Sequence, residues 1–111
     1  MQSRYITPAI TVFDEQGRLD PDGNFRLYDF IKNSVSGFVV MGSTGEFFSL
    51  DMKTSRQIIQ MAAEFPRQGI KAYAGASRMD IDECVELANY ADECELDGVM
   101  ISSPWYFRLT D

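Results

Sequence analysis

Histidine is absent from the chain, cysteine occurs twice, and clusters of basic residues are missing. Each shortage removes a class of chemistry. Without an imidazole there is no Ser–His or Cys–His nucleophile pair, and the commonest metal ligand is gone. Cys84 and Cys94 fall on one expected helix, where ten residues at 1.5 Å rise set them about 15 Å apart, beyond disulfide reach. Thiols so separated cannot share a tetrahedral zinc site, so no metal is expected and both read as free thiols in a reducing compartment. No stretch approaches the ~18 apolar residues of a membrane span. "MQSRYITPAITVF" lacks signal-peptide architecture, and a soluble cytoplasmic protein without a membrane partner is the expectation. Lys and Arg number 10 against 17 Asp and Glu, a net charge of -7, and the basic residues are dispersed. That balance disfavours a nucleic-acid partner, which needs a basic stripe.

What is present is globular: 111 residues, 45% hydrophobic and 13% aromatic, sufficient for one small domain over residues 1–111. Periodicity divides it into alternating elements. "YITPAITVF" (5–13) is β-branched and aromatic, and a polar turn follows. Leu27, Ile31 and Val35 then recur at helical spacing, predicting a helix over 21–35. Asp20 is its cap and Pro21 its first turn. "FVVM" (38–41) is apolar on consecutive positions, the mark of a parallel strand buried on both faces. Ile58, Met61, Ala62 and Phe65 predict a helix over 51–65, and "IKAYAG" (70–75) the next strand. Ile81, Cys84, Val85 and Ala88 form the stripe of a helix over 80–95, with Asp80 and Glu83 spaced as a capping box. "DGVMIS" (97–102) is a fourth strand.

Four strands and three helices at roughly thirty residues per unit make a parallel α/β chain. Doubly wound sheets and (β/α)8 barrels both use this unit. The doubly wound sheet favours GxGxxG after its first strand, and "TVFDEQG" does not supply it. Unusual residues instead follow successive strands: "GSTGE" (42–46), "GAS" (75–77) and "PWYF" (104–107). That is the barrel's habit, so the fold expected is a (β/α)8 TIM barrel represented by about four strands and three helices, a half barrel. A complete barrel needs eight strands and about 250 residues, and the chain is therefore expected to be part of a longer protein or to pair with another half.

The "GSTGE" stretch carries the chemistry. Two adjacent hydroxyls, with backbone amides approachable past glycines, form a cradle for a carboxylate or, less well, a phosphate. The same residues also make a plain capped turn, and the pattern alone leaves both readings open. A P-loop is excluded because Glu46 stands where its lysine would be. A nucleophile elbow fails on spacing and on the missing histidine.

"MGSTGEFFSL" after the second strand, "YAGAS" ending the third, "SPWYF" ending the fourth and the opening "TPAITVFDEQGRLD" together resemble the dihydrodipicolinate synthase / N-acetylneuraminate lyase family. These are pyruvate-dependent class I aldolases on a (β/α)8 barrel. The resemblance spans the chain but only the first three to four units of that barrel. It implies that Ser43 and Thr44 hold the carboxylate of pyruvate or another 2-keto acid. It also places Ser43 and Tyr106 in catalysis, Ser43 in a proton relay and Tyr106 as a tyrosine that crosses a subunit interface in many members. Gly45 and Glu46 match positions that shape the loop. A homo-oligomer and no bound cofactor are implied. The family's Schiff-base lysine on a sixth strand and its tyrosine on a fifth have no match here. Lys32 and Lys53 fall on helices and Lys71 opens a strand at the opposite end.

Two functions follow. One is an aldolase or lyase whose full-length form supplies the lysine, this stretch alone being inactive. The other is a non-catalytic half-barrel binding or assembly module that keeps the carboxylate loop. Trp105 and Tyr106 also read as plain interface aromatics, and "GAS" as a turn. The aldehyde or sugar-acid substrate is not specified by these residues.

Overall fold

The computed structural model describes residues 5–103. Four strands, β1 (Ile6–Pro8), β2 (Gly37–Val40), β3 (Lys71–Gly75) and β4 (Gly98–Met100), alternate with three helices, α1 (Pro21–Ile31), α2 (Met52–Glu64) and α3 (Ile81–Glu93). The sheet is parallel throughout, in the order β1-β2-β3-β4. Spatial order equal to chain order decides the architecture. Parallel crossovers are right-handed, so three in one direction lay every helix on one face. A doubly wound sheet would reverse its order at a switch point, and none occurs. This is the N-terminal part of a (β/α)8 barrel. No helix among the described residues is long and apolar enough to cross a membrane.

The core lies between the sheet and its helices. Phe38 and Val40 of β2 and Ala72 and Ala74 of β3 point to that side and are at most 2% exposed. The Phe38 ring stacks on Tyr28 at 4.6 Å, and Phe65 meets both rings edge-on at 5.5 and 6.3 Å. An aromatic pair of this kind contributes about 0.5–1.5 kcal/mol beyond area burial. Burial pushes the Tyr28 hydroxyl pKa well up. Ile58, Ile59 and Ala62 of α2 complete the layer. On the other face, Ile6 and Met100 are about half exposed, as expected where a barrel interior has no opposing wall.

Three expected elements are corrected. The first strand is not 5–13: only Ile6–Pro8 pair with β2, and 12–20 form a hairpin turn closed by Asp14 N–H to Arg18 O and Asp20 N–H to Val12 O. Buried Asn24 stitches that hairpin to α1, its Nδ2 donating to Val12 O and Asp20 O while its Oδ1 accepts from Val12 N–H. Helix α1 stops at Ile31, not Val35. Ser36 is already extended, donating from its amide to Tyr5 O and accepting from Lys71 N–H, and Asn33 and Ser34 are weak helix formers that favour the turn. On α3, Ile81 and Val85 are 74% and 53% exposed, and the buried residues are Leu87 and Ala91. At 100° per residue Val85 lies about 160° round the helix from Leu87, on the side away from α2 and β4. Nor does the capping box close: the Asp80 carboxylate accepts from Asp82 N–H, but Glu83 turns to Arg78.

Candidate functional site

Strand β2 ends at Val40 and the chain turns at once. Buried Met41 and exposed Glu46 take φ of 60° and 61°, left-handed values that cost a residue with a Cβ about 1–2 kcal/mol. Between them the bend is closed by its own backbone: Gly45 and Phe47 amides donate to Gly42 O at 3.1 and 3.4 Å, and Glu46 N–H to Ser43 O at 3.1 Å. A 3-10 turn, Phe47–Ser49, then leads to Asp51, whose carboxylate accepts from Thr54 N–H and caps α2. Hydrogen bonding from Thr54 holds the Asp51 carboxyl below its ordinary pKa.

Ser43 and Thr44 sit at the crest of this bend, exposed, while Gly42 and Gly45 on either side are buried. Their amides and hydroxyls donate to no acceptor among the described residues. The result is a compact set of donors at the carboxyl end of a parallel strand, where barrels place their chemistry. It suits an anion of one or two oxygens.

Close backbone approach makes the bend possible. A Cβ on Gly75 would fall within 2.7 Å of the Met41 carbonyl carbon, and one on Gly45 within 2.9 Å of Met41 N and 3.1 Å of Ala9 O. Three strand ends therefore converge at distances only glycine allows. Buried Thr11 joins them, its hydroxyl donating to Gly45 O at 2.7 Å. Ser77, at the end of "GAS", is buried and accepts from Ser102 N–H at 2.8 Å, tying the end of β3 to that of β4.

Tyr106 and Trp105 lie outside the described residues. None of the three lysines stands at the carboxyl end of a strand: Lys32 caps α1 and pairs with Asp29 at 2.6 Å, Lys53 is exposed in the first turn of α2, and Lys71 opens β3. Cys84 and Cys94 are free and half-buried. A groove of about 700 Å³ lies on the outer side, among Phe13, Leu19, Phe25, Thr54 and Met61, and includes neither Ser43 nor Thr44. Sequence reasoning missed Thr11, Asn24 and Arg78. The Arg78 guanidinium donates to Leu50 O at 2.6 Å and meets Glu83 at 3.4 Å.

A singly wound parallel sheet with its donors at the strand carboxyl ends is the front of a barrel-enzyme fold. Residues 1–111 match the Dihydrodipicolinate synthetase family, and the chain belongs to that family. It is 35% identical over 102 residues to the 4-hydroxy-tetrahydrodipicolinate synthase of Methanococcus maripaludis strain C7, covering 91% of this chain and 35% of that one. Its backbone superposes with a TM-score of 0.90 on the crystal structure of YagE from Escherichia coli K12 in complex with pyruvate, at 28% identity over 97% of this chain and 37% of that chain. N-acetylneuraminate lyase from Mycoplasma synoviae gives a TM-score of 0.85 at 29% identity, covering 95% and 38%. The chain thus spans little more than a third of the length of the proteins it matches.

Proposed function

We propose that this chain is the carboxylate-binding front of a pyruvate-dependent class I aldolase or lyase, with Ser43 and Thr44 holding the acid end of pyruvate or a related 2-keto acid. The observation that carries the reading is the bend itself: two exposed hydroxyls and their amides, unclaimed by acceptors among the described residues, at the carboxyl end of β2. A structural neighbour of 28% identity, YagE, was crystallised with pyruvate, which supports the choice of acid.

The reaction needs an electron sink for a carbanion next to a carbonyl, and an imine to lysine supplies one. In a complete barrel that lysine comes from a later strand. The cradle's part is to fix the keto acid so that its carbonyl carbon faces the amine, which saves the entropy of orientation. Passing a proton is the second role proposed for Ser43, with Tyr106 as the other catalytic hydroxyl. Assembly into a homo-oligomer belongs to the same proposal, as does a cytoplasmic location.

The test is a pyruvate titration followed by the amide resonances of Ser43 and Thr44. Saturable shifts with pyruvate, and none with the uncharged amide pyruvamide, support the cradle. Equal response to both removes it. Borohydride reduction with pyruvate decides the catalytic half. An adduct is expected only on protein that carries the later lysine, and an adduct on Lys32, Lys53 or Lys71 would overturn the assignment. A second reading, a binding module without catalysis, rests on the absence of a lysine at the strand carboxyl ends among the described residues.

A further inference from the structure

We propose that Thr11 and Arg78 are positioning residues that hold the segment 42–50 at Gly45 and Leu50 and so keep Ser43 and Thr44 in their binding geometry, an inference that rests on the carboxylate-cradle reading above. The bend needs such help. Two of its residues, Met41 and Glu46, sit in left-handed backbone conformations, and these persist only where the surroundings over-determine them. Its internal bonds are long or local, the longest being Phe47 N–H to Gly42 O at 3.4 Å.

Two external contacts supply the determination. Thr11, 34 residues away in sequence and 8% exposed, places its hydroxyl 2.7 Å from Gly45 O. That carbonyl immediately follows the hydroxyl pair, and the bond is shielded from water, where it is strongest. At the other end the Arg78 guanidinium reaches 2.6 Å to Leu50 O, the residue that closes the 3-10 turn. Arg78 is itself held on three sides. Its Nε meets Glu83 at 3.4 Å, its amide donates to Cys84 Sγ at 3.1 Å, and its carbonyl accepts from that thiol at 3.2 Å. The guanidinium thus arrives pre-oriented from the start of α3. β1's continuation and the stretch just ahead of α3 therefore each fix one carbonyl of the loop, the first immediately after the hydroxyl pair.

The experiment compares the protein with its Thr11→Val, Thr11→Ser, Arg78→Met and Arg78→Lys variants. Amide hydrogen exchange is read without ligand, then pyruvate affinity. Thr11→Val should speed exchange at Gly45, Glu46 and Phe47 about tenfold relative to the β2–β3 ladder amides, the size expected for one lost hydrogen bond. Thr11→Ser should restore it. Arg78→Met should act likewise at Ser49 and Leu50, with Arg78→Lys recovering part. The pyruvate dissociation constant should rise in step, several-fold in Thr11→Val and Arg78→Met. Uniform acceleration across the ladder, failure of Thr11→Ser to rescue, or local loosening with unchanged pyruvate affinity would each overturn the clamp. Arg78→Met changes a part-buried surface group and decides the matter should Thr11→Val not fold. Lack of pyruvate binding by the unaltered protein would sink the cradle reading, and the exchange comparison would still judge the clamp.

Discussion

Replacing Gly75 by alanine should disturb the site more than any other single methyl addition to a glycine here. The added Cβ would lie 2.7 Å from the Met41 carbonyl carbon and closer still to its oxygen, with Gly42 N at 3.3 Å. All three atoms are backbone of the neighbouring strand end, so no side chain can swing aside. Overpacking of this kind costs about 1–3 kcal/mol. Unyielding backbone this close puts the cost at the upper end, about 3 kcal/mol; the conformational restriction of alanine over glycine returns about 0.5–1 kcal/mol, leaving a net destabilisation of about 2 kcal/mol. For a domain of this size that is a fall in Tm of about 10 °C. Thermal unfolding followed by circular dichroism measures it. Gly42→Ala is the control, because its Cβ would meet only the flexible end of Met100 at 3.3 Å and should cost less than about 0.5 kcal/mol. The Thr44 amide shift should move clearly more in Gly75→Ala than in the control. Equal Tm values for the two variants would refute the claim that strand convergence at Gly75 shapes the bend.

Asn24→Leu removes three part-buried hydrogen bonds and strands the Val12 amide, so chemical denaturation should show a loss of about 2–3 kcal/mol. Ile81→Ser and Val85→Ser should change stability by no more than about 0.5 kcal/mol because both side chains are exposed; a loss above 2 kcal/mol in the same assay would mean that α3 packs through the other stripe. Asp14, through backbone hydrogen bonding from Arg18, and Asp51, through its bond from Thr54, both have lowered pKa values. A lowered folded-state pKa means stability present above the unfolded carboxylate value near 4 and lost as pH falls through the folded value. Acid titration of the unfolding midpoint should therefore decline below about pH 4, less steeply in Asp51→Asn.

What could be read from the sequence, and what could not, divides along physical lines. "FVVM" running into "GSTGE" was legible because a strand buried on both faces has no polar alternation, and its sudden end in small hydroxyl residues stands out. The repeat of strand and helix followed from periodicity, and the choice of the barrel from the unusual residues after successive strands. Strand length did not: "YITPAITVF" has β propensity throughout, yet only three residues find a partner, because Asn24 draws Val12 into a hairpin. The α3 stripe was misplaced in half of its members, Ile81 and Val85 being exposed while Cys84 is half-buried and Ala88 packs on the core, because Ile81–Val85 and Leu87–Ala91 are both apolar at helical spacing and only packing selects one. Thr11 carries no signal of its own. It reads as one more β-branched residue, and its role is a hydrogen bond to a carbonyl far along the chain. Arg78 reads as an ordinary surface cation until Leu50 O is seen beside it.

The account rests on the hydroxyl pair and the anion it is proposed to grip, and one measurement reaches that directly. Pyruvate and pyruvamide are titrated in turn into isotopically labelled protein, and into its Ser43→Ala and Thr44→Val variants, while the Ser43 and Thr44 amides are observed. The expected result is saturable movement with pyruvate alone, reduced at least several-fold in affinity by either substitution. Movement with both compounds, or undiminished binding after both hydroxyls are removed, would contradict it.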